Sequence, residues 1–340
     1  MKNKKPKIIL AGGGTLGSVS PLLAVADRYQ ADYIFIGSKT GPERKLIEKK
    51  EMPFIKISSG KLRRYISWQN FVDFFKIILA FWQSIKILLK HRPDLVLTAG
   101  SFVAVPVVWA AWLLRVPVVV HQQDIQVGLA NKLMAPFAKR ITVTFEDQIK
   151  DFDHKKVIVT GNPVRTIKDD TRYKPIVVIT GGGKGARSMN SFMAKFVPLL
   201  LERYEVHHVL GNSNWDQKLE YENYFPYKFI SSGMLNLLSQ ADIIISRSGM
   251  SLITEAASLK KALVLIPIPD SHQEINAGFF AKHNAAVMVK QDSDQIMERY
   301  LEKLISNKDL RQGLGNNLYK LFPKNALNDY IILIDKIINS

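Results

Sequence analysis

The chain has 340 residues, 47% of them hydrophobic, a formal net charge of +17 and no cysteine. Two α/β domains fit that length, and the missing cysteine excludes disulfides, thiolate catalysis and cysteine-ligated zinc; the basic opening MKNKKPK, with no apolar signal-like stretch, predicts a cytoplasmic protein. The charge calls for an anionic partner, either an inner-leaflet surface or a phosphorylated small molecule, and not nucleic acid, since an arginine-rich tail, zinc spacing and RNA-binding aromatic signature are all missing.

Taken in chain order, apolar runs at 7–11, 33–37, 54–57, 95–98, 116–120 and 141–144 read as strands separated by helical patterns, the signature of βαβ units and parallel sheets. Between the third and fourth lies a segment, 62–92, in which Phe71, Phe74, Phe75, Ile78, Phe81, Trp82, Ile85, Leu88 and Leu89 recur at helical spacing among Lys61, Arg63, Arg64, Lys86, Lys90 and Arg92. Its charges forbid a comfortable membrane span, leaving a helix that covers the sheet or rests an edge on a membrane surface. The tetrapeptide Gly161-Asn162-Pro163-Val164 suits a hinge. A second series of strands follows at 176–180, 206–210, 228–230, 243–246, 262–266 and 286–289, and an amphipathic helix at 325–338 has no strand after it and is expected to return over the first domain.

The first strand of each series runs into glycines: AGGGTLGS after 7–11 and TGGGKGAR after 176–180. A strand, a glycine turn that tolerates positive φ, and a helix with open first-turn N–H groups make an anion cradle. Gly12, Gly14 and Gly17 satisfy G-x-G-x-x-G, but the second strand ends Phe35-Ile36-Gly37-Ser38 without the acid that holds a dinucleotide ribose. A P-loop fails at Lys184, which is followed by glycine.

His121-Gln122-Gln123-Asp124, GLANKLMAPFAKR, GNPVR, GGGKGARSMN, SRSGMSLITEAASL and DSHQEINA resemble, in order and spacing, the MurG family of GT-B glycosyltransferases, over nearly the whole chain. That resemblance implies two Rossmann-like doubly wound α/β domains facing a cleft, at 1–162 and 163–324, with 325–340 packing back on the first. It also implies inverting transfer of N-acetylglucosamine from its UDP derivative to undecaprenyl-pyrophosphoryl-N-acetylmuramyl-pentapeptide, at the cytoplasmic face of the cell membrane and with no cofactor.

The resemblance assigns the donor to the second domain. Arg165 is implied for the pyrophosphate, Asn190 for the start of the helix after the glycine loop, Ile230 and Met234 for the base, and Met250, Ser251, Leu252, Ile253, Thr254 and Glu255 for the ribose-binding helix, with Glu255 accepting from ribose hydroxyls. His272 and Gln273 are implied for the sugar. Gly183 departs from the family's serine, and Lys184 follows where glutamine is common.

The acceptor side departs more. The diphosphate loops are implied at Thr15, Leu16, Gly17 and Ser18 and at Gly100, Ser101 and Phe102. There Leu16 replaces a glycine and Ser18 a histidine, and Ser101-Phe102 replace glycine-tyrosine. Gln122 and Asp124 replace glutamate and asparagine. A serine cannot serve as a base at neutral pH, so Asp124 is the first candidate and His121 the second. No metal-ligand cluster is evident, and helix N-termini with Arg165 can stabilise a leaving pyrophosphate by themselves. These departures keep two alternatives open: a UDP-sugar transferase with another lipid-linked or polysaccharide acceptor, and a non-catalytic protein that binds sugar nucleotide or lipid pyrophosphate.

Overall fold

A computed structural model describes residues 5–39, 41–58, 60, 68–165, 175–182, 186–230 and 233–340, with side chains of 68–72 and 74 excluded. The expectations for Gly183, Lys184, Lys61, Arg63 and Arg64, and those for the side chains of Phe71 and Phe74, lie outside the described residues. The chain folds as two compact units, one of residues 1–164 with 323–340, the other of residues 165–322.

The first unit is built on β1 (Lys7–Ala11), β2 (Asp32–Ser38), β3 (Phe54–Ile57), β4 (Leu95–Thr98), β5 (Val118–Gln122), β6 (Arg140–Val143) and β7 (Val157–Val159). They form one parallel sheet in the order β3-β2-β1-β4-β5-β6-β7. Continuous Val/Ile/Leu runs form its centre because helices cover both faces of a parallel sheet. On one face Ile9, Val96 and Val120 pack under the helices Trp68–His91 and Ala104–Leu113. On the other, Ile8, Leu10 and Phe35 meet Leu22 and Leu23 together with Tyr330, Leu333, Ile334 and Ile337 of the C-terminal helix Ala326–Ile338. That helix does return to the first unit, and Tyr29 donates from its hydroxyl to Asp335 at 2.8 Å.

The second unit carries β8 (Ile176–Thr180), β9 (Glu205–Val209), β10 (Tyr224–Tyr227), β11 (Ile243–Ser246), β12 (Ala262–Leu265) and β13 (Val287–Met288), parallel in the order β10-β9-β8-β11-β12-β13. Each sheet thus reverses its winding next to its own first strand: between β1 and β4, and between β8 and β11. Open α/β sheets bind ligands at that reversal, beyond the carboxyl ends of the strands.

Two strand expectations need correction. The strand placed at 228–230 forms instead at Tyr224–Tyr227, with Pro226 inside it; an edge strand tolerates proline because one side needs no ladder donor, and β10 is at the sheet edge. The three-residue edge strand β7 had no counterpart in the expectations.

The helix Trp68–His91 has two apolar faces. Ile77, Ala80, Ser84 and Leu88 are buried against the sheet side, whereas Phe75, Ile78, Leu79, Trp82 and Leu89 stand 40–57% exposed. Trp112 and Leu113 are equally exposed at the end of the adjoining helix, Ala104–Leu113.

Candidate active site

In the first unit the loop after β1 turns through Gly13 at φ 142° and Gly14 at φ 77°, conformations that favour glycine, and delivers the chain into the helix Ser20–Arg28. That helix has no side-chain N-cap and carries proline in its first turn, so its amino end is held by backbone alone. Thr15 is exposed, Leu16 and Gly17 are partly so, and Ser18 is buried with its hydroxyl lacking a hydrogen-bond partner. A buried hydroxyl without a partner is costly, and a bound anion's oxygens would satisfy it.

The loop after β4 meets the first across the reversal point. Gly100 lies at φ 97°, its N–H donating to Thr98 Oγ1, and Ser101 follows at φ 92°, a region L-residues avoid. The Ser101 hydroxyl donates to Gly13 O at 2.8 Å and accepts from Val103 N–H at 3.2 Å. Phe102 packs on the core.

At the end of β5 the four expected residues part company. His121 is fully buried, Nδ1 lying 2.9 Å from Thr142 Oγ1 and Nε2 3.0 Å from Asn162 Oδ1, with the Tyr330 ring edge-on. A neutral ring satisfies both contacts, and burial pushes its pKa down to about 4. With both nitrogens engaged and no exposed surface, His121 is a structural histidine in this arrangement and not a base. Gln122 is buried too: its amide donates to Asp124 O at 2.7 Å and Gln126 O at 3.2 Å while its oxygen accepts from Asn131 at 2.6 Å. Asp124 is partly exposed, and its backbone carbonyl also accepts from Gln148 at 2.5 Å. The turn is pinned through its backbone, and the carboxylate is carried at its tip.

In the second unit the glycine loop opens at Gly182, φ 83°, with its N–H on Thr180 Oγ1. Asn190 is buried and committed to the protein: Nδ2 donates to Leu210 O and Gln217 Oε1, and Oδ1 lies 3.2 Å from His208 Nε2. His208 is itself neutral, burial lowering its pKa to about 4. Ile230 and Met234 are partly exposed beyond β10, on either side of Gly233 at φ 86°.

The helix Met250–Ser258 opens on Gly249 without a side-chain cap. Met250 and Ile253 are buried, and Thr254 turns its hydroxyl back to Met250 O at 2.8 Å, so these three hold the helix in place. Ser251, Leu252 and Glu255 form the accessible side. Gln273 Oε1 accepts from Ser248 N–H and Ile268 N–H, both at 3.2 Å, fastening the helix His272–Lys282 to the β11 loop; His272 is exposed beside it. Arg165 is partly buried, and its Nε has no hydrogen-bond partner among the described residues.

Three polar side chains escaped the expectations. Glu43 is wholly buried beneath the first glycine loop. Asn131 links the β5 end to its following helix, donating to His121 O at 3.1 Å. Arg247 is 7% exposed and braces four segments: it donates to Ile266 O at 3.0 Å, Pro267 O at 2.9 Å, Ser188 Oγ at 3.0 Å and Gln291 Oε1 at 2.7 Å. These acceptors are all neutral, and burial lowers its pKa, so an uncompensated positive charge lies at the second reversal point. Asn131 and Arg247 fall inside motifs already quoted, and a lone arginine following an apolar strand was the available signal. For Glu43 there was none. Among the described residues there is no cluster of three or more His, Asp or Glu placed to hold a metal ion.

Two doubly wound units, each with a glycine loop at its own reversal point, define the GT-B class of glycosyltransferase. Residues 8–143 match the glycosyltransferase family 28 N-terminal domain and residues 176–320 the family 28 C-terminal domain, and the chain belongs to this family. It is 36% identical to the UDP-N-acetylglucosamine–N-acetylmuramyl-(pentapeptide) pyrophosphoryl-undecaprenol N-acetylglucosamine transferase of Clostridium botulinum strain 657, covering 97% of this chain and 99% of that one. The namesake of Clostridium kluyveri is 35% identical over the same shares. Among solved structures it is similar to Acinetobacter baumannii MurG, with a TM-score of 0.73, 26% identity and coverage of 98% and 99%. A UDP-GlcNAc 2-epimerase from Neisseria meningitidis has a TM-score of 0.71 at 15% identity over 98% of this chain and all of that one, a likeness of fold alone.

Proposed function

We propose that this protein transfers N-acetylglucosamine from UDP-N-acetylglucosamine to N-acetylmuramyl-(pentapeptide) pyrophosphoryl-undecaprenol, inverting the anomeric centre, in peptidoglycan synthesis. The observation that carries this reading is similarity to relatives of that name over 97% of the chain, with both family domains matched in order. The second unit takes the donor: Arg165 and the amino ends of its helices face the diphosphate, Glu255 the ribose, Ile230 and Met234 the base, and Gln273 with His272 the sugar. The first unit takes the acceptor, its pyrophosphate resting on the loops around Thr15–Ser18 and Gly100–Phe102. Asp124 accepts the proton of the acceptor hydroxyl as that oxygen attacks C1 of the sugar. The C1–O bond to UDP breaks, and UDP leaves with its charge met by Arg165 and helix N–H groups.

UDP release measured with and without the lipid-linked acceptor tests this reading. Release that depends on the acceptor is expected. Equal release in its absence, or none in its presence, would overturn it and favour another acceptor or a binding role.

The same acceptor implies peripheral attachment to the inner membrane face. Among the described residues no helix is long and apolar enough to cross a membrane, whereas Phe75, Leu79, Trp82 and Leu89 lie exposed on one helix beside Lys86, Lys90 and Arg92. Apolar side chains insert into the headgroup boundary while the cations meet anionic lipid. Sedimentation with anionic vesicles is therefore expected to exceed that with neutral ones and to fall with salt, as a Debye length of about 10 Å at 0.1 M shrinks. Leu79→Ser with Trp82→Ser should abolish most of it; unchanged sedimentation would mean that this face does not meet lipid.

A further inference from the structure

The carbonyl of Gly13 and the N–H of Gly14 are the two ends of one peptide group, and each is gripped by a side chain from elsewhere in the first unit. The Ser101 hydroxyl, on the loop after β4, donates to Gly13 O at 2.8 Å. Gly14 N–H donates to Glu43 Oε2 at 3.1 Å. Glu43 is 0% exposed and is itself fixed by its other oxygen, which accepts from Ser38 N–H at 2.9 Å and from the Ser38 hydroxyl at 2.5 Å. A Cβ on Gly13 would run into this carboxylate, so the close approach depends on glycine. Flipping the peptide would break both hydrogen bonds at once and leave a buried carboxylate one donor short.

Ser101 maintains its grip at φ 92°, where a side chain is strained and glycine is not. A strained residue that reaches across the sheet's reversal point to one backbone carbonyl is a reason to look for function there. Because the Gly13–Gly14 peptide is fully engaged by the protein, a ligand must be met by the remainder of the loop, where the buried Ser18 hydroxyl has no hydrogen-bond partner.

We propose that Ser101 and Glu43 are positioning residues that lock the Gly13–Gly14 peptide and so hold the first glycine loop ready for the pyrophosphate of the acceptor. This rests on the assignment of the acceptor to the first unit. Ser101→Gly separates positioning from folding, since it removes the strain and the hydroxyl together. Its thermal midpoint should equal or exceed that of the wild type, while the acceptor KM rises about fivefold and the affinity for UDP stays unchanged. Glu43→Gln should raise the acceptor KM as well, and the double variant should be no worse than the worse single, because either change frees the same peptide.

In wild-type protein that turns over, an acceptor KM unchanged within twofold in Ser101→Gly overturns the proposal, as does an additive double variant. Wild-type protein that does not turn over overturns the transferase reading, and the acceptor role of the lock with it. Amide exchange of the loop then reports the lock alone: exchange at Gly14 no faster in Ser101→Gly than in wild type removes that too.

Discussion

Asp124→Asn is expected to reduce kcat about 100-fold or more while leaving UDP affinity nearly intact, the usual scale for losing a general base. Asp124 is at the carboxyl end of β5, where open α/β sheets place their ligands. Gln122 and Gln148 pin its backbone carbonyl, so the substitution changes the side chain without releasing the turn. His121 cannot replace it: both ring nitrogens are engaged inside the core, and its pKa of about 4 keeps the ring neutral at physiological pH. Asparagine is the residue found here in the MurG family, so the test cuts both ways. Retained or improved turnover in Asp124→Asn would eliminate the carboxylate as base and point to a water-mediated route.

Arg165→Ala and Glu255→Ala should each weaken UDP binding by about 1 to 3 kcal/mol, roughly 5- to 150-fold in Kd by calorimetry, the range for removing a hydrogen bond to a charged group. Arg165 offers an Nε donor with no hydrogen-bond partner among the described residues, and a guanidinium cannot shed its charge to reduce the cost. Glu255 projects from the accessible side of a helix whose other residues, Met250, Ile253 and Thr254, are turned inward. Gln273 makes a weaker probe of the donor, because its oxygen already fastens Ser248 and Ile268, and truncating it would disturb the loop as well as the sugar contact. If Kd is unchanged in both variants, the donor assignment to these residues falls.

The fold was legible in the sequence wherever a strand is a β-branched run ended by glycine or a turn: 7–11, 54–57, 95–98, 176–180 and 243–246 coincide with the observed elements. Edges were less readable. Pro226 disguised β10, and β7 is three residues beside a turn, too short for periodicity to register. Site residues divided along a different line. Glycine loops announce themselves because backbone conformation constrains composition, whereas the role of a buried polar side chain depends on what the fold brings to it. Asn190 and Gln122 sit within recognisable motifs and yet give their hydrogen bonds to neighbouring backbone. Glu43 reaches a loop 29 residues away in the chain, and nothing in its neighbours signals that.

The return of the C-terminal helix makes the first unit discontinuous in the chain, with consequences for the order in which the protein is completed during translation. Residues 165–322 form a unit of their own and can close their core as soon as they emerge. The sheet face bearing Ile8, Leu10 and Phe35 waits for Tyr330, Leu333, Ile334 and Ile337. At about 5 to 20 residues per second, the intervening stretch holds that face open for roughly 10 to 30 s after its own strands have been made. The nascent first unit is therefore a chaperone client by construction, and a ribosome stalled before Ala326 would present an apolar sheet face with nothing in the chain to cover it.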